Sequence, residues 1–251
     1  MNIEEYQNFA REKLGFEFHE PMLLVTALTH RSYLNEHRST VKEHNERLEF
    51  LGDAVLELVT SDFLYRNYDQ PEGIMTAWRS ALVRTESIGN AGEKLGYAPL
   101  VRLSRGEKHG SERAHAVILA DCFEAVIGAI YLDQGYEVAK DFIAKHILVK
   151  IDQILEDGSW RDPKSYLQEL SQHHDGSTPV YKVIDEDGPD HNKTFKVGVY
   201  VEHQLKATGS GQAKAKAVEA KRAEAAAAAE AVKGYLKLER ATEAKSAASQ
   251  K

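Results

Sequence analysis

A single cysteine, Cys122, stands in a chain of 251 residues. No internal disulfide can form, and a reducing cytoplasm is the expected compartment. No stretch of eighteen or more apolar residues is free of charge, so no membrane span is expected. The opening segment MNIEEYQNFAREKLGF is charged and amphipathic, without the apolar region of a secretory signal. Positive charge is also in short supply. The formal net charge is −7, which taken alone argues against a nucleic-acid partner. Its distribution softens that argument. Residues 162–251 hold 14 Lys and Arg against 13 Asp and Glu, whereas residues 1–161 hold 18 against 26. The acidity therefore sits in the first part, where carboxylates can collect metal ions instead of repelling phosphate.

What is present is a long helical pattern followed by a different grammar. Apolar residues recur at spacings of three and four through residues 1–150, with candidate helices over roughly 3–14, 21–34, 42–68, 74–95, 113–133 and 135–156. The segment EDGSWRDP at 156–163 breaks this periodicity. Beyond it, a short helix KSYLQELSQHH precedes three strand-like runs, and Phe195, Val197, Val199 and Val201 alternate with Thr194, Lys196, Gly198, Tyr200 and Glu202. A period of two marks a strand with one buried face. An alanine-rich helix from about Gln212 to Lys237 closes an α-β-β-β-α unit. The expected organisation is an all-α domain over 1–153, a linker over 154–162, an α+β domain over 163–237, and a polar, disordered tail over 238–251.

Two acidic pairs carry the chemistry. In ERLEFLGDAVLEL, Glu49 and Asp53 are one helical turn apart, and Glu46 extends the stripe backwards. Like charges so spaced cost about 0.2–0.5 kcal/mol per pair on an exposed helix, and more when desolvated. The surrounding Leu48, Phe50, Leu51, Ala54, Val55, Leu56 and Leu58 predict a helix buried on most sides. In HAVILADCFEAVIGAIYL, Asp121 and Glu124 are the only carboxylates between Ala116 and Leu132. One explanation is a buried ion pair with an arginine such as Arg79 or Arg84. The other is that both helices aim their pairs at one site, where four carboxylates hold a divalent cation. Oxygen ligands without histidine or thiolate point to Mg2+, with Mn2+ as a substitute. Such a site suits phosphodiester hydrolysis. Di-iron carboxylate bundles also use acidic helices, but they need Glu-x-x-His pairs, and neither pair here has one.

At these residues the chain resembles the ribonuclease III family, through NERLEFLGDAVL at 45–56, ALTHRSY at 27–33, MTAWRSALV at 75–83 and ILADCFEAVIGAIYLD at 118–133. The resemblance covers nearly the whole chain. It implies an all-α endonuclease domain followed by a double-stranded-RNA-binding domain, acting as a homodimer on double-stranded RNA, with ribosomal precursor RNA as the default substrate. It implies that Glu49, Asp121 and Glu124 are magnesium ligands, that Asp53 and Glu124 are directly catalytic, and that Glu46 and Glu72 are supporting acids. It implies products with 5′-phosphate and 3′-hydroxyl ends and two-nucleotide 3′ overhangs. Gly52 is expected to permit close helix packing, Cys122 to be a small core residue, and His30 to be structural or RNA-proximal.

In the second domain the resemblance places Ser165, Gln168 and Glu169 against a minor groove and His191 in a loop that dips into the next. The family pattern sets adjacent lysines after a glycine–serine turn. Here Lys214 and Lys216 follow Gly209-Ser210-Gly211, while Lys221 and Arg222 come later. An early helix start with Lys214 and Lys216 at the phosphates is the favoured arrangement; a solvated cationic face is the bland one. His173-His174-Asp175 invites a metal-hydrolase reading, but it is expected in a loop without a partner histidine motif. Two rivals to the nuclease remain. A protein that binds RNA without cutting gains nothing from the acidic quartet. A phosphohydrolase of small substrates leaves the second domain unexplained.

Overall fold

The computed structural model describes residues 2–37, 39, 41–187, 194–212 and 223–238. It divides into two compact units, Met1–Ile154 and Leu155–Lys251.

The first unit is helical. Its elements are α1 (Ile3–Phe9, continued by a π-helical turn to Leu14), α2 (Pro21–Ala27), α3 (Arg31–Glu36), α4 (Glu46–Asn67), α5 (Glu72–Val83), α6 (Thr85–Leu95), α7 (Glu112–Gln134), α8 (Tyr136–His146) and α9 (Ile151–Asp157). The centre is α7. It is long and apolar enough to cross a bilayer, yet here Phe123, Ala125, Val126, Ile127, Ala129 and Ile130 are fully buried. It packs on α4, α6, α8 and α2, and Phe123 meets Phe142 at a ring distance of 5.3 Å.

Three expected helices prove to be interrupted. The 21–34 helix breaks because the backbone at Thr29 bridges to Arg102: His30 N–H donates to Arg102 O at 3.1 Å and Arg102 N–H to Leu28 O at 2.8 Å. The 74–95 helix breaks at Arg84, whose extended backbone (ψ 146°) separates α5 from α6. The 135–156 helix breaks at Ile147, where a 3-10 turn over Leu148–Lys150 intervenes. No glycine or proline announces the second and third breaks. The helix expected from 42 begins at Glu46.

The second unit contains α10 (Pro163–Asp175), β1 (Val180–Asp187), β2 (Thr194–Val201) and β3 (Gln204–Gln212), followed by helix α11 over 223–238. The sheet is antiparallel in the order β1-β2-β3. Asp162 caps α10 by accepting from Ser165 N–H at 2.9 Å, and Pro163 opens it, a favourable pairing at a helix start. The alternation read for β2 holds, since Phe195, Val197, Val199 and Val201 are all buried. Val199 packs with Leu167, Leu170 and the alanine face of α11, and Phe195 and Val197 pack with Ala223. Alanine there is a packing choice as well as a helix former. A Cβ on Gly209 would lie 2.3 Å from Ala227 N and 2.4 Å from Ala223 O, so helix and sheet touch backbone to backbone.

Candidate active site

Helices α4 and α7 approach until their backbones meet. A Cβ on Gly52 would lie 1.7 Å from Glu124 O, and one on Gly128 would lie 2.2 Å from Leu48 O. No side chain fits in either place, so the two glycines set the closest distance between the helices. Glu49 and Asp53 flank Gly52 on α4, and Asp121 and Glu124 lie on α7 at the same crossing.

The four acids are coupled electrostatically across the crossing, with Asp53 the exposed member. The carboxyl of Glu124 is pushed up to about 8, first by burial and then by Asp53, Glu49, Asp121 and Glu57. Glu49 is raised by burial, then by Asp121, Glu46 and Asp53. Asp121 is raised by burial and by Glu46, with His30 opposing. Among the described residues, none of the four forms an ion pair. Arg79 is spoken for elsewhere, with its Nε 2.9 Å from Glu57 Oε2 and its Nη1 donating to Ser61 Oγ at 2.9 Å. Arg84 acts on Lys150. The buried ion pair considered for Asp121 and Glu124 therefore has no partner in either arginine.

Desolvated carboxylates that raise one another need a counter-charge, and an oxygen-only donor set suits a hard divalent cation. Among the described residues, no three His, Cys, Asp or Glu side chains are drawn together as a finished ligand cage. The chemistry of the donors nonetheless fits such a cation.

The supporting acids divide. Glu46 acts on both Glu49 and Asp121 and pairs with Arg31 at 3.1 Å. Glu72 is not among the groups that act on the quartet. It opens α5, accepts from Thr76 Oγ1 at 3.0 Å, and lines a cavity with Leu58, Tyr65 and Arg79. Glu57 went unnoticed in the sequence, although it continues the stripe of Glu49 and Asp53 by one further turn. His30 has a visible structural role, its Nδ1 accepting from Ser32 N–H at 3.3 Å to cap α3, while also facing Asp121. Cys122 is fully buried, its thiol pushed up to about 12 by burial, as expected of a core residue.

The expectation that α4 is buried on most sides is wrong. Phe50 is 80% exposed and Tyr65 77% exposed, with Leu58 and, on α7, Leu132 also open. Apolar composition does not reveal which face a neighbour covers.

In the second unit, Ser165, Gln168 and Glu169 share an exposed face of α10. The Ser165 hydroxyl donates to Asp162 Oδ2 at 2.9 Å, and Glu169 pairs with Arg161 at 3.3 Å. His191, Lys214, Lys216, Lys221 and Arg222 lie outside the described residues. Gly209, Ser210 and Gly211 belong to β3 instead of a turn, paired with β2, and Gln212 is the last residue of that strand, not the first of a helix. His173, His174 and Asp175 form the last turn of α10, not a loop. Tyr235 OH donates to Asp175 and stacks on His174, so these residues serve packing.

Two family models match the chain: one described as Ribonuclease-III-like over residues 20–151, and one described as a double-stranded RNA binding motif over residues 163–235. The chain is 45% identical over 210 residues to Ribonuclease 3 of Oceanobacillus iheyensis, covering 82% of this chain and 90% of that protein. It is 41% identical over 215 residues to Ribonuclease 3 of Desulforamulus reducens, covering 85% and 87%. Among solved structures it is similar to the nuclease domain of ribonuclease III from Campylobacter jejuni, with 36% identity, 55% of this chain and 96% of that chain covered, and a TM-score of 0.49.

Proposed function

The chain belongs to the ribonuclease III family of endoribonucleases acting on double-stranded RNA, and from that premise we propose a metal-dependent hydrolysis centred on Glu49, Asp53, Asp121 and Glu124. The observation that carries the reading is the acidic cluster at the α4–α7 crossing, with Glu49, Asp121 and Glu124 partly buried, Asp53 exposed beside them, and no ion pair to any of the four among the described residues. Glu49, Asp121 and Glu124 would hold Mg2+, or Mn2+ in its place, while Asp53 and Glu124 touch the reacting groups. When bound, the cation lowers the pKa of a water and offsets charge on the phosphate.

The chain's own part is to keep oxygen donors in a partly dry setting with, among the described residues, no arginine paired to them. Before a cation arrives, the Glu124 carboxyl with its value of about 8 holds a proton at neutral pH. To hold a cation Glu124 would have to give up that proton, so metal affinity would fall as the solution becomes more acid. The products of this reading carry 5′-phosphate and 3′-hydroxyl ends and two-nucleotide 3′ overhangs. Its cellular setting is cytoplasmic processing of ribosomal precursor and other structured RNAs.

The test is cleavage of a plain RNA duplex of a few helical turns, with Mg2+ and with chelator, resolving both strands. Staggered, Mg2+-dependent cuts are expected. Binding without cutting, in Mn2+ as well, would leave a binding-only protein.

Homodimerisation is part of the same proposal. Exposed Phe50, Leu58 and Tyr65 on α4 and Leu132 on α7 are apolar side chains that a second copy can cover. Sedimentation should show a dimer, and Phe50→Glu should shift it towards monomer. A wild-type monomer at high concentration counts against this part.

A further inference from the structure

Asn45 precedes α4 and is one of very few polar residues buried in the first unit, at 1% exposure. Each of its polar connections leads to a different wall of the acidic site. Its backbone N–H donates to Thr29 O at 2.9 Å, fixing the segment that carries His30. Its carbonyl accepts from Glu49 N–H at 2.8 Å, the first hydrogen bond of α4 to involve a candidate ligand. Its side-chain Nδ2 reaches Cys122 Sγ at 3.7 Å, and Cys122 adjoins Asp121 on α7. Thr29 in turn bridges to Arg102. One buried residue therefore ties together the three backbone segments that present His30, Glu49 and Asp121, two of them through its backbone and the third, on α7, through its side-chain amide.

We infer that Asn45 is a positioning residue, acting through Cys122 to hold the start of α4 in register with α7, so that Glu49 and Asp121 are presented to the same crossing, where a shared cation would draw them together. The glycine contact sets how close the helices come. It does not stop α4 from sliding or rotating about that contact. A second tie, one turn before Glu49, removes that freedom. The thiol suits the role because it is a weak, soft acceptor in a place too apolar for a stronger one.

This inference rests on the metal-dependent reading, and its test separates the two. The full-length protein and its variants Asn45→Ala, Cys122→Ala, Cys122→Ser and the double Asn45→Ala/Cys122→Ala are compared by Mn2+ calorimetry without RNA, and by kcat and KM on an RNA duplex. Asn45→Ala and Cys122→Ala should each weaken Mn2+ by about tenfold, the scale of losing a group that orients a ligand. Both should lower kcat with little change in KM. Cys122→Ser, which keeps an acceptor, should restore Mn2+ affinity, and the double variant should be no worse than the poorer single one.

Unchanged Mn2+ affinity in the single variants overturns the inference, as do losses that multiply in the double. Should Asn45→Ala fail to fold, Cys122→Ala and Cys122→Ser decide alone, and equal affinity for the two overturns it. A wild-type protein that neither binds Mn2+ nor cuts removes the metal reading and this inference with it. A wild type that does both, with variants that match it, removes only the inference.

Discussion

Both units are built around a glycine where two backbones touch, but they use the contact differently. At Gly52 and Gly128 the close approach brings together the two helices that carry four carboxylates, none of them in an ion pair among the described residues. At Gly209 the close approach seats α11 on the sheet through Ala223 and Ala227. Among the described residues of the second unit, charges pair near the surface, as in Arg161 with Glu169 and Lys164 with Glu224. Surface pairs of that kind contribute little to stability. The unpaired quartet is an uncompensated cost within the fold, which is why it marks function.

The sharpest way to break the comparison is to add one methyl group to each contact. Overpacking a core typically costs about 1–3 kcal/mol, and here the obstacle is rigid backbone. Gly52→Ala should destabilise the first unit and cut cleavage by about a hundredfold or more, since a misplacement near 1 Å suffices for that. Gly209→Ala should destabilise the second unit and weaken RNA affinity while leaving turnover at saturating RNA largely intact. Calorimetric melting with cleavage kinetics reads both; normal cutting by Gly52→Ala would undo the account of the crossing.

Next in size is Glu124→Gln, which keeps the volume and removes the charge. Cleavage should fall by at least about a hundredfold, with RNA binding within a few-fold of wild type by gel shift. A variant that still cuts at the normal rate removes Glu124 from the chemistry.

The third effect is a pH dependence confined to the first unit. The Glu124 carboxyl sits well above its ordinary value of 4.5, at about 8. Between those two values the folded protein holds a proton that the unfolded chain has released. The stability this contributes is fully present below the ordinary value and is lost as pH rises through about 8. Without divalent cations, the Tm of the first unit should therefore decline from pH 5 to pH 8, and Mg2+ should relieve the decline. Glu124→Gln should flatten it, and a slope unchanged in that variant would assign it to another group.

The smallest effect belongs to the second unit. Gln168→Ala on the exposed face of α10 should weaken duplex binding by a few-fold, about 1 kcal/mol for one hydrogen bond, with turnover at saturating RNA unchanged. Wild-type affinity in that variant would move the RNA-contacting face elsewhere.

Much of this was legible in the chain. Asp121 and Glu124 stand out because carboxylates in an apolar helix are expensive, and β2 stands out because alternation has few other causes. The breaks at Thr29–His30 and Arg84 were not legible. The first depends on a bridge to Arg102, far along the chain, and local periodicity carries no trace of such a partner. Phe50 and Leu58 misled for the same reason: apolar residues on most sides of a helix say nothing about which side stays uncovered. Glu57 was readable from its spacing but looked ordinary until Arg79 and Glu124 came to lie beside it.

The sequence by itself determined the chemical inventory: which helices carry acids, on which angular stripe, and that neither acidic pair has a histidine at the Glu-x-x-His offset. That follows because helical spacing fixes direction about a single axis. Only the tertiary structure decided that the four acids meet, that Arg79 serves Glu57 instead, and that Glu72 stands apart. Those outcomes depend on the distance and rotation between helices, set by backbone contact at Gly52 and Gly128 and by the buried Asn45, where no local pattern records the partner.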